Sequence, residues 1–486
     1  MLVNTIIDTV GYLLHPMVAV VALPLLLVAL ELIWVIYARK FHPLAGVPGP
    51  WLASVSRLWV MRRLKDGDMD RVQRNLHHRY GPLIRIAPNE LSCSDPEAIK
   101  VLYRTAAPLT KTDFYPVWGN PRMSKYRDNF SQVDERLHSE RRRIVNHVYS
   151  LSNVLQSEAS IDRVTTVMVD KLTQLAQSGR DCDLGTWVQW YTFDVIGELF
   201  FGRMFGFLEQ ETDYKSWISS LDALMPGFCQ VAVAPTYLRP FILLSSLFDS
   251  KMKAAIKCTE TMEVAAREGV ARRQAELDQG SSTSDSRDLL QQLFNIQREK
   301  GEKVDFSRRE VEQEAYIALL AGSDTTAIAI RSIFYYIVKD RKVYERLRAE
   351  IDKANAEGEL SFPVKYAQAL KLPYLCACIK EGMRMHPSVG LTLPRLMPPG
   401  GLQSNGKYVP EGYRVGINAA VIHFDKKIFG DDAHQFRPER WLDPAAAANM
   451  DRYMFQFGYG TRTCIGKNVR VTYPQRDDEE ELIGPA

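Results

Sequence analysis

Residues 457–466 read Phe457-Gly458-Tyr459-Gly460-Thr461-Arg462-Thr463-Cys464-Ile465-Gly466, and no other stretch constrains the fold of this chain so tightly. One cysteine lies in a glycine-rich loop, with an arginine two residues before it and a glycine two residues after. Glycine has no Cβ and tolerates positive φ, so such a loop can fold back sharply and bring its backbone against a flat ligand. Amide N–H groups turned toward the sulfur favour thiolate over thiol, the form that binds metal. A lone thiolate cannot build a zinc site, which takes four protein ligands, or three and a water. It can be the single protein ligand of a metal whose in-plane positions a macrocycle already fills. For an isolated cysteine the alternative is an inert core thiol; the pattern around Cys464 argues against it.

The chain has 486 residues, 46% of them hydrophobic, enough for a large core. A net charge of +3 gives no electrostatic reason to expect nucleic acid. The seven cysteines, at 93, 182, 229, 258, 376, 378 and 464, show no CxxC or CxH spacing. Neither a disulfide framework nor a zinc module is expected, and a reducing compartment fits.

The N-terminus departs from a soluble pattern. Between residues 17 and 38 the only charged side chain is Glu31, and 18–30 is almost wholly aliphatic. That is about the ~20 residues a helix needs to cross a bilayer. Arg39 and Lys40 follow the run, which by the positive-inside rule places everything downstream in the cytosol. Next comes His42-Pro-Leu-Ala-Gly-Val-Pro48-Gly-Pro50, whose prolines forbid continued helix and form a stiff hinge. The expected order is a luminal end (1–16), an anchor (17–38), a basic and proline-rich hinge (39–50), a globular domain (51–468) and an acidic tail (469–486).

Within the globular part, 68–80 reads as a helix ended by Gly81-Pro82. Two short alternating segments flank Pro88-Asn89 as a hairpin. From 96 to about 384 the periodicity is helical; 279–287 is a polar connector, and 390–418 returns to strands and turns. The longest helix is expected over 307–339, opened by Asp305 or Ser307 and acids at 310, 312 and 314. Ala318, Ala321, Gly322 and Thr325 fall on one face of it, and a stripe of small residues lets something flat approach. Close helix packing explains such a stripe equally well. Asp324, Thr325 and Thr326 then place polar groups inside an apolar helix, where they need partners. Glu381 and Arg384 lie three residues apart on one helix face. Alone that is an ordinary surface pair, but the apolar run before it and His386-Pro387 after it turn the pair toward protein.

These motifs, in this order, resemble the cytochrome P-450 family, whose loop pattern FxxGxRxCxG is matched at all five fixed positions. The resemblance implies a mainly α fold with a minor β portion, and a haem b whose axial iron ligand is Cys464. Phe457, Gly458 and Gly466 would shape the cofactor loop. Arg462 and Arg395 would meet haem propionates, and His138 and Arg142 stand where many members carry WxxxR. Ala321 would face the haem, Thr325 would hydrogen-bond dioxygen, and Asp324 would feed a proton relay. Glu381, Arg384 and Arg440 would form a scaffold behind the haem. Phe114, Tyr115, Trp118, the 221–233 region, Ile317 and 389–393 would wall a lipophilic substrate site. The wording of 380–395 and 321–336 is similar to fungal members of the pisatin demethylase type. Such enzymes imply an NADPH-dependent reductase, with cytochrome b5 as a further electron donor, and an endoplasmic reticulum membrane. The likeness stops at Asn468. The family continues with an apolar helix and strands, whereas here Pro474 and five consecutive acids follow. A truncated, haem-free and inactive remnant is therefore the alternative expectation.

Overall fold

The computed structural model describes residues 16–279, 288–404 and 406–470. The expected luminal end, the greater part of the polar connector and the acidic tail from 471 onward lie outside the described residues. Helices dominate, and among the described residues the strands form one sheet of four and one of two. The N-terminal helix Pro16–Lys40 is exposed along its apolar stretch and is long and apolar enough to span a bilayer. It carries Pro24 within it. Its C-terminal end is tied to the globular part: Trp34 Nε1 donates to the Val55 carbonyl (2.8 Å), and Arg85 Nη1 donates to the Ala38 carbonyl (2.8 Å).

The expected hairpin forms as β1 (Leu83–Ala87) and β2 (Glu90–Cys93), antiparallel, with Leu83 opposite Cys93. β3 (Leu393–Leu396), β4 (Leu402–Ser404), β5 (Lys407–Val409) and β6 (Arg414–Ile417) come from the strand-like segment. The larger sheet runs β1-β2-β6-β3, with β2 parallel to β6 and β6 antiparallel to β3. It pairs an early and a late piece of the chain, so Arg395 on β3 lies beside the loop that begins at Lys111, bridged to it residue to residue.

The central helix fills Arg308–Lys339. Ser307 caps it, and Glu310 closes the capping box by accepting from the Ser307 amide at 2.7 Å. Between Arg308–Ile317 and Ser323–Lys339 the backbone widens into a π turn over Ala318–Gly322. Such single-turn bulges mark functional sites in helices. The turn is held from outside by helix Leu184–Phe201: a Cβ on Gly322 would lie 2.9 Å from Ile196 Cδ1. The main hydrophobic core surrounds this crossing. Leu319 is buried within it, and Ile465 of the cysteine loop packs against the same core. The fold thereby brings residues about 140 apart in sequence to one place.

Candidate active site

The cysteine loop is shaped by its own backbone. Gly458 and Gly460 take φ of +75° and +65°, and a Cβ on Gly460 would stand 2.0 Å from the Tyr103 carbonyl oxygen. Only glycine fits there. The Cys464 amide donates to the Phe457 carbonyl (2.8 Å), closing the loop, and the Cys464 side chain is exposed. A Cβ on Gly466 would lie 4.0 Å from the Cys464 sulfur, in ordinary contact with it. Phe457 packs against the cluster of Ala329, Ile379 and Met383.

Helix Glu135–Val145 grips this loop from two positions. Arg462 forms paired bonds to Glu135, Nη2 to Oε1 at 2.7 Å and Nε to Oε2 at 2.9 Å. Arg142 donates to the Thr463 carbonyl at 2.6 Å, so this guanidinium supports the loop next to the cysteine. One turn earlier, His138 is buried with its Nε2 unpartnered. Burial first, then the positive charges of Arg462 and Lys111, push its pKa down to about 2.

Lys111, which nothing in the sequence singled out, joins the same place. It is buried, donates to the Phe130 carbonyl (2.6 Å) and lies over the rings of Tyr115 and Phe130. Burial and the charges of Arg395 and Arg462 hold its pKa well below the ordinary lysine value. Arg395, also buried, donates to the Tyr115 hydroxyl (2.5 Å) and the Pro394 carbonyl (3.1 Å). Among the described residues neither Lys111 nor Arg395 has a salt-bridge partner. Of the nearby carboxylates, Glu135 is occupied by Arg462, and Asp128 acts on Lys111 only through its charge, so three cations gather with a single salt bridge among them. Such an assembly is stable only with an anion against it, and the two carboxylates of a haem, with an unpartnered His138 nitrogen beside them, match that need.

On the facing helix Ala321 is exposed and Leu319 is buried, so the widened turn presents its small side chains to the site. Thr325 Oγ1 donates to the Ala321 carbonyl (2.8 Å), and the Thr325 carbonyl accepts from Ser388 (2.7 Å). Asp324 points elsewhere. Its Oδ1 accepts from Gln189 at 3.3 Å. Burial raises its pKa, the neighbouring Asp222 raises it further, and Arg331 opposes both.

Behind the loop, Glu381 and Arg384 are buried and joined by two bonds of 2.8 Å. Arg440 Nε reaches Glu381 Oε1 at 2.9 Å, and Trp441 Nε1 reaches Oε2 at 2.9 Å. Burial alone would push the Glu381 pKa up; the bonds and charges of Arg384 and Arg440 outweigh it and hold it below the ordinary value. Arg384 also donates to the carbonyls of His423, Ala433 and Gln435. His423 was not legible in the sequence. One ring nitrogen bonds the Arg384 carbonyl (3.1 Å), and the other accepts from the Phe455 amide (2.8 Å). This neutral imidazole connects the scaffold to the cysteine loop, and its burial pushes its pKa down to about 3.

A thiol-bearing glycine loop, a buried cation cluster and a widened central helix meet on one core, an arrangement that fits a haem with a thiolate ligand. The chain belongs to the cytochrome P450 family, whose sequence pattern it matches over residues 46–469. It is 44% identical over 440 residues to the cytochrome P450 monooxygenase gsfF of Penicillium aethiopicum, covering 90% of this chain and 87% of that one. It is 33% identical over 450 residues to a pisatin demethylase of Fusarium vanettenii, covering 92% and 86%. The cytochrome P450 monooxygenase ACRTS1 of Alternaria alternata is 39% identical over 332 residues, 68% of this chain and 87% of that one. The chain is thus an oxygen-incorporating oxidoreductase of a family that carries haem-thiolate centres and works with redox partners. Its N-terminal apolar helix is consistent with a membrane anchor.

Proposed function

We propose that this enzyme inserts one oxygen atom from dioxygen into a lipophilic aromatic, polyketide- or terpenoid-like metabolite of fungal secondary metabolism. It is anchored in the endoplasmic reticulum membrane by the N-terminal helix, with its catalytic domain in the cytosol. An NADPH-dependent reductase, assisted by cytochrome b5, delivers the electrons. The bound haem supplies the activation of dioxygen.

The chain's own residues do the rest. Cys464 would hold the haem iron through its sulfur, and Gly458 and Gly460 give the loop its positive-φ turns. Arg462, Arg395, Lys111 and His138 hold the carboxylates, while Arg142 supports the loop backbone. Ala321 leaves room on the opposite side. Thr325 holds a proton at Oγ1, and this hydroxyl can turn from the Ala321 carbonyl toward a ligand; Asp324, next to it on the helix and turned to Gln189, feeds it only through a change of side-chain direction. Glu381, Arg384 and Arg440 keep the loop in position without touching substrate.

The observation that carries this reading is the cluster of buried cations, two of them without a salt-bridge partner among the described residues, beside an exposed cysteine in a closed glycine loop. Purified protein is expected to contain one haem per chain and to give the thiolate-type carbon monoxide spectrum. Cys464→Ala is expected to lose that spectrum. A colourless protein expressed with haem supplied, or an unchanged spectrum in the variant, would refute the proposal.

A further inference from the structure

Arg85, in the middle of β1, is buried and has no salt-bridge partner among the described residues. Its guanidinium spends its donors on neutral acceptors instead. Nη1 donates to the Ala38 carbonyl (2.8 Å), and Nη2 donates to His42 Nδ1 (3.0 Å) and to the Pro88 carbonyl (2.7 Å). One side chain thus joins the end of the N-terminal helix, the stretch after it and the turn between β1 and β2. Ala38 lies in the last turn of helix Pro16–Lys40, where carbonyls lack partners within the helix and carry the negative end of its dipole. Amides of Phe41 and His42 take the Tyr37 carbonyl, and Arg85 takes that of Ala38.

His42 is a second fastening. Its Nδ1 accepts from the Leu44 amide (3.1 Å) as well as from Arg85, so Nε2 carries the ring hydrogen and faces the Tyr413 hydroxyl at 3.4 Å. The ring stands edge-on to both Tyr37 and Tyr413. Further along, the Arg85 amide donates to the Pro48 carbonyl (2.8 Å). A Cβ on Gly49 would lie 2.3 Å from the Arg85 carbonyl oxygen, so backbone meets backbone there. The stretch 38–49 is therefore held by both the side chain and the main chain of β1. Burying a guanidinium without a counter-charge is costly, and a helix that only had to stop could do so on glycine or proline. What the cation adds is a set of directional bonds from the sheet to the helix end.

Resting on the membrane reading above, we propose that Arg85 fuses the anchor helix and the catalytic domain into one rigid body, so that the protein itself fixes the tilt of the domain on the bilayer. The proline-rich stretch then works as a clasp against β1 and gives the domain no swing. Arg85 and His42 are positioning residues for the whole domain and take no part in the oxidation chemistry.

Pulsed dipolar EPR on the full-length protein in lipid nanodiscs tests this directly. Leu27 and Thr105, both exposed, are replaced by ketone-bearing amino acids that carry spin labels and leave the native cysteines untouched. Position 27 lies eleven residues before Ala38 with no proline between them. That is about 16 Å of helix, so a swing of about 30° moves the label by about 8 Å. The wild type is expected to give one narrow distance distribution. Arg85→Met is expected to broaden it by at least about that displacement, and amides 41–47 are expected to exchange hydrogen about tenfold faster or more. His42→Ala is expected to broaden it less, and decides alone if Arg85→Met does not fold. A broad wild-type distribution, or wild-type width in the folded variants, overturns the proposal. A lower unfolding temperature with unchanged width gives Arg85 a stabilising role only and overturns it too. Flotation of the wild type with lipid vesicles tests the membrane reading separately; if the chain does not float, that reading falls, and the same distances in detergent still decide whether helix and domain move as one.

Discussion

Replacing His423 with glutamine tests whether a neutral imidazole ties the buried ion network to the cysteine loop. Glutamine can supply the donor to the Arg384 carbonyl and the acceptor for the Phe455 amide, but it cannot take up a proton. In the folded chain the imidazole pKa is pushed to about 3, by burial first and then by the Arg384 charge, against an ordinary 6.5. As acid is added, the unfolded chain therefore protonates His423 before the folded chain does. The stability this group provides is whole above about pH 6.5 and falls as the pH drops toward 3. At about 1.36 kcal/mol per pH unit, the loss reaches roughly 2 kcal/mol at pH 5 and about 3 kcal/mol at pH 4. Other buried groups add their own acid dependence, which both proteins share. Urea unfolding followed by tryptophan fluorescence at pH 7.5, 6, 5 and 4 isolates the difference. The His423→Gln curve is expected to fall less steeply, narrowing the gap to wild type by roughly 2 kcal/mol between pH 7.5 and 5. Imperfect bonds from glutamine would lower the variant at every pH without changing this slope difference. Parallel pH dependences would show that the imidazole is not held neutral, and the proposed link would fail.

Arg440→Leu removes one of the two cations on Glu381 and strands part of a buried charge; a loss of about 3 kcal/mol is expected from the unfolding midpoint. Lys111→Met removes a cation from the carboxylate site, so transfer of haem to a scavenging apoprotein is expected to speed up roughly tenfold. The haem-free form of that variant is expected to unfold at a higher denaturant concentration, because a repelled, buried charge is gone. Thr325→Ala takes away the only hydroxyl bonded to the Ala321 carbonyl among the described residues. Product formed per NADPH is expected to fall by about an order of magnitude while NADPH consumption continues, measured by peroxide release.

The amino-acid sequence by itself determined the elements whose causes are local. The glycines around Cys464, the capping box at Ser307, the Pro88-Asn89 turn and the apolar N-terminal helix each follow from a few neighbouring residues. Position also told that Glu381 and Arg384 turn toward protein, because charges on an apolar helix face must find partners; Arg440 joined them through the family resemblance. Tertiary structure alone decided which groups meet across long separations. Lys111 became a member of the cation cluster only when β3 brought Arg395 beside its loop. His423 became a link only when the fold set one ring nitrogen against the Arg384 carbonyl and the other against the Phe455 amide. Periodicity reports which face is buried, but not what the buried face touches; that is fixed by packing, where desolvation gives each polar group its cost and its purpose.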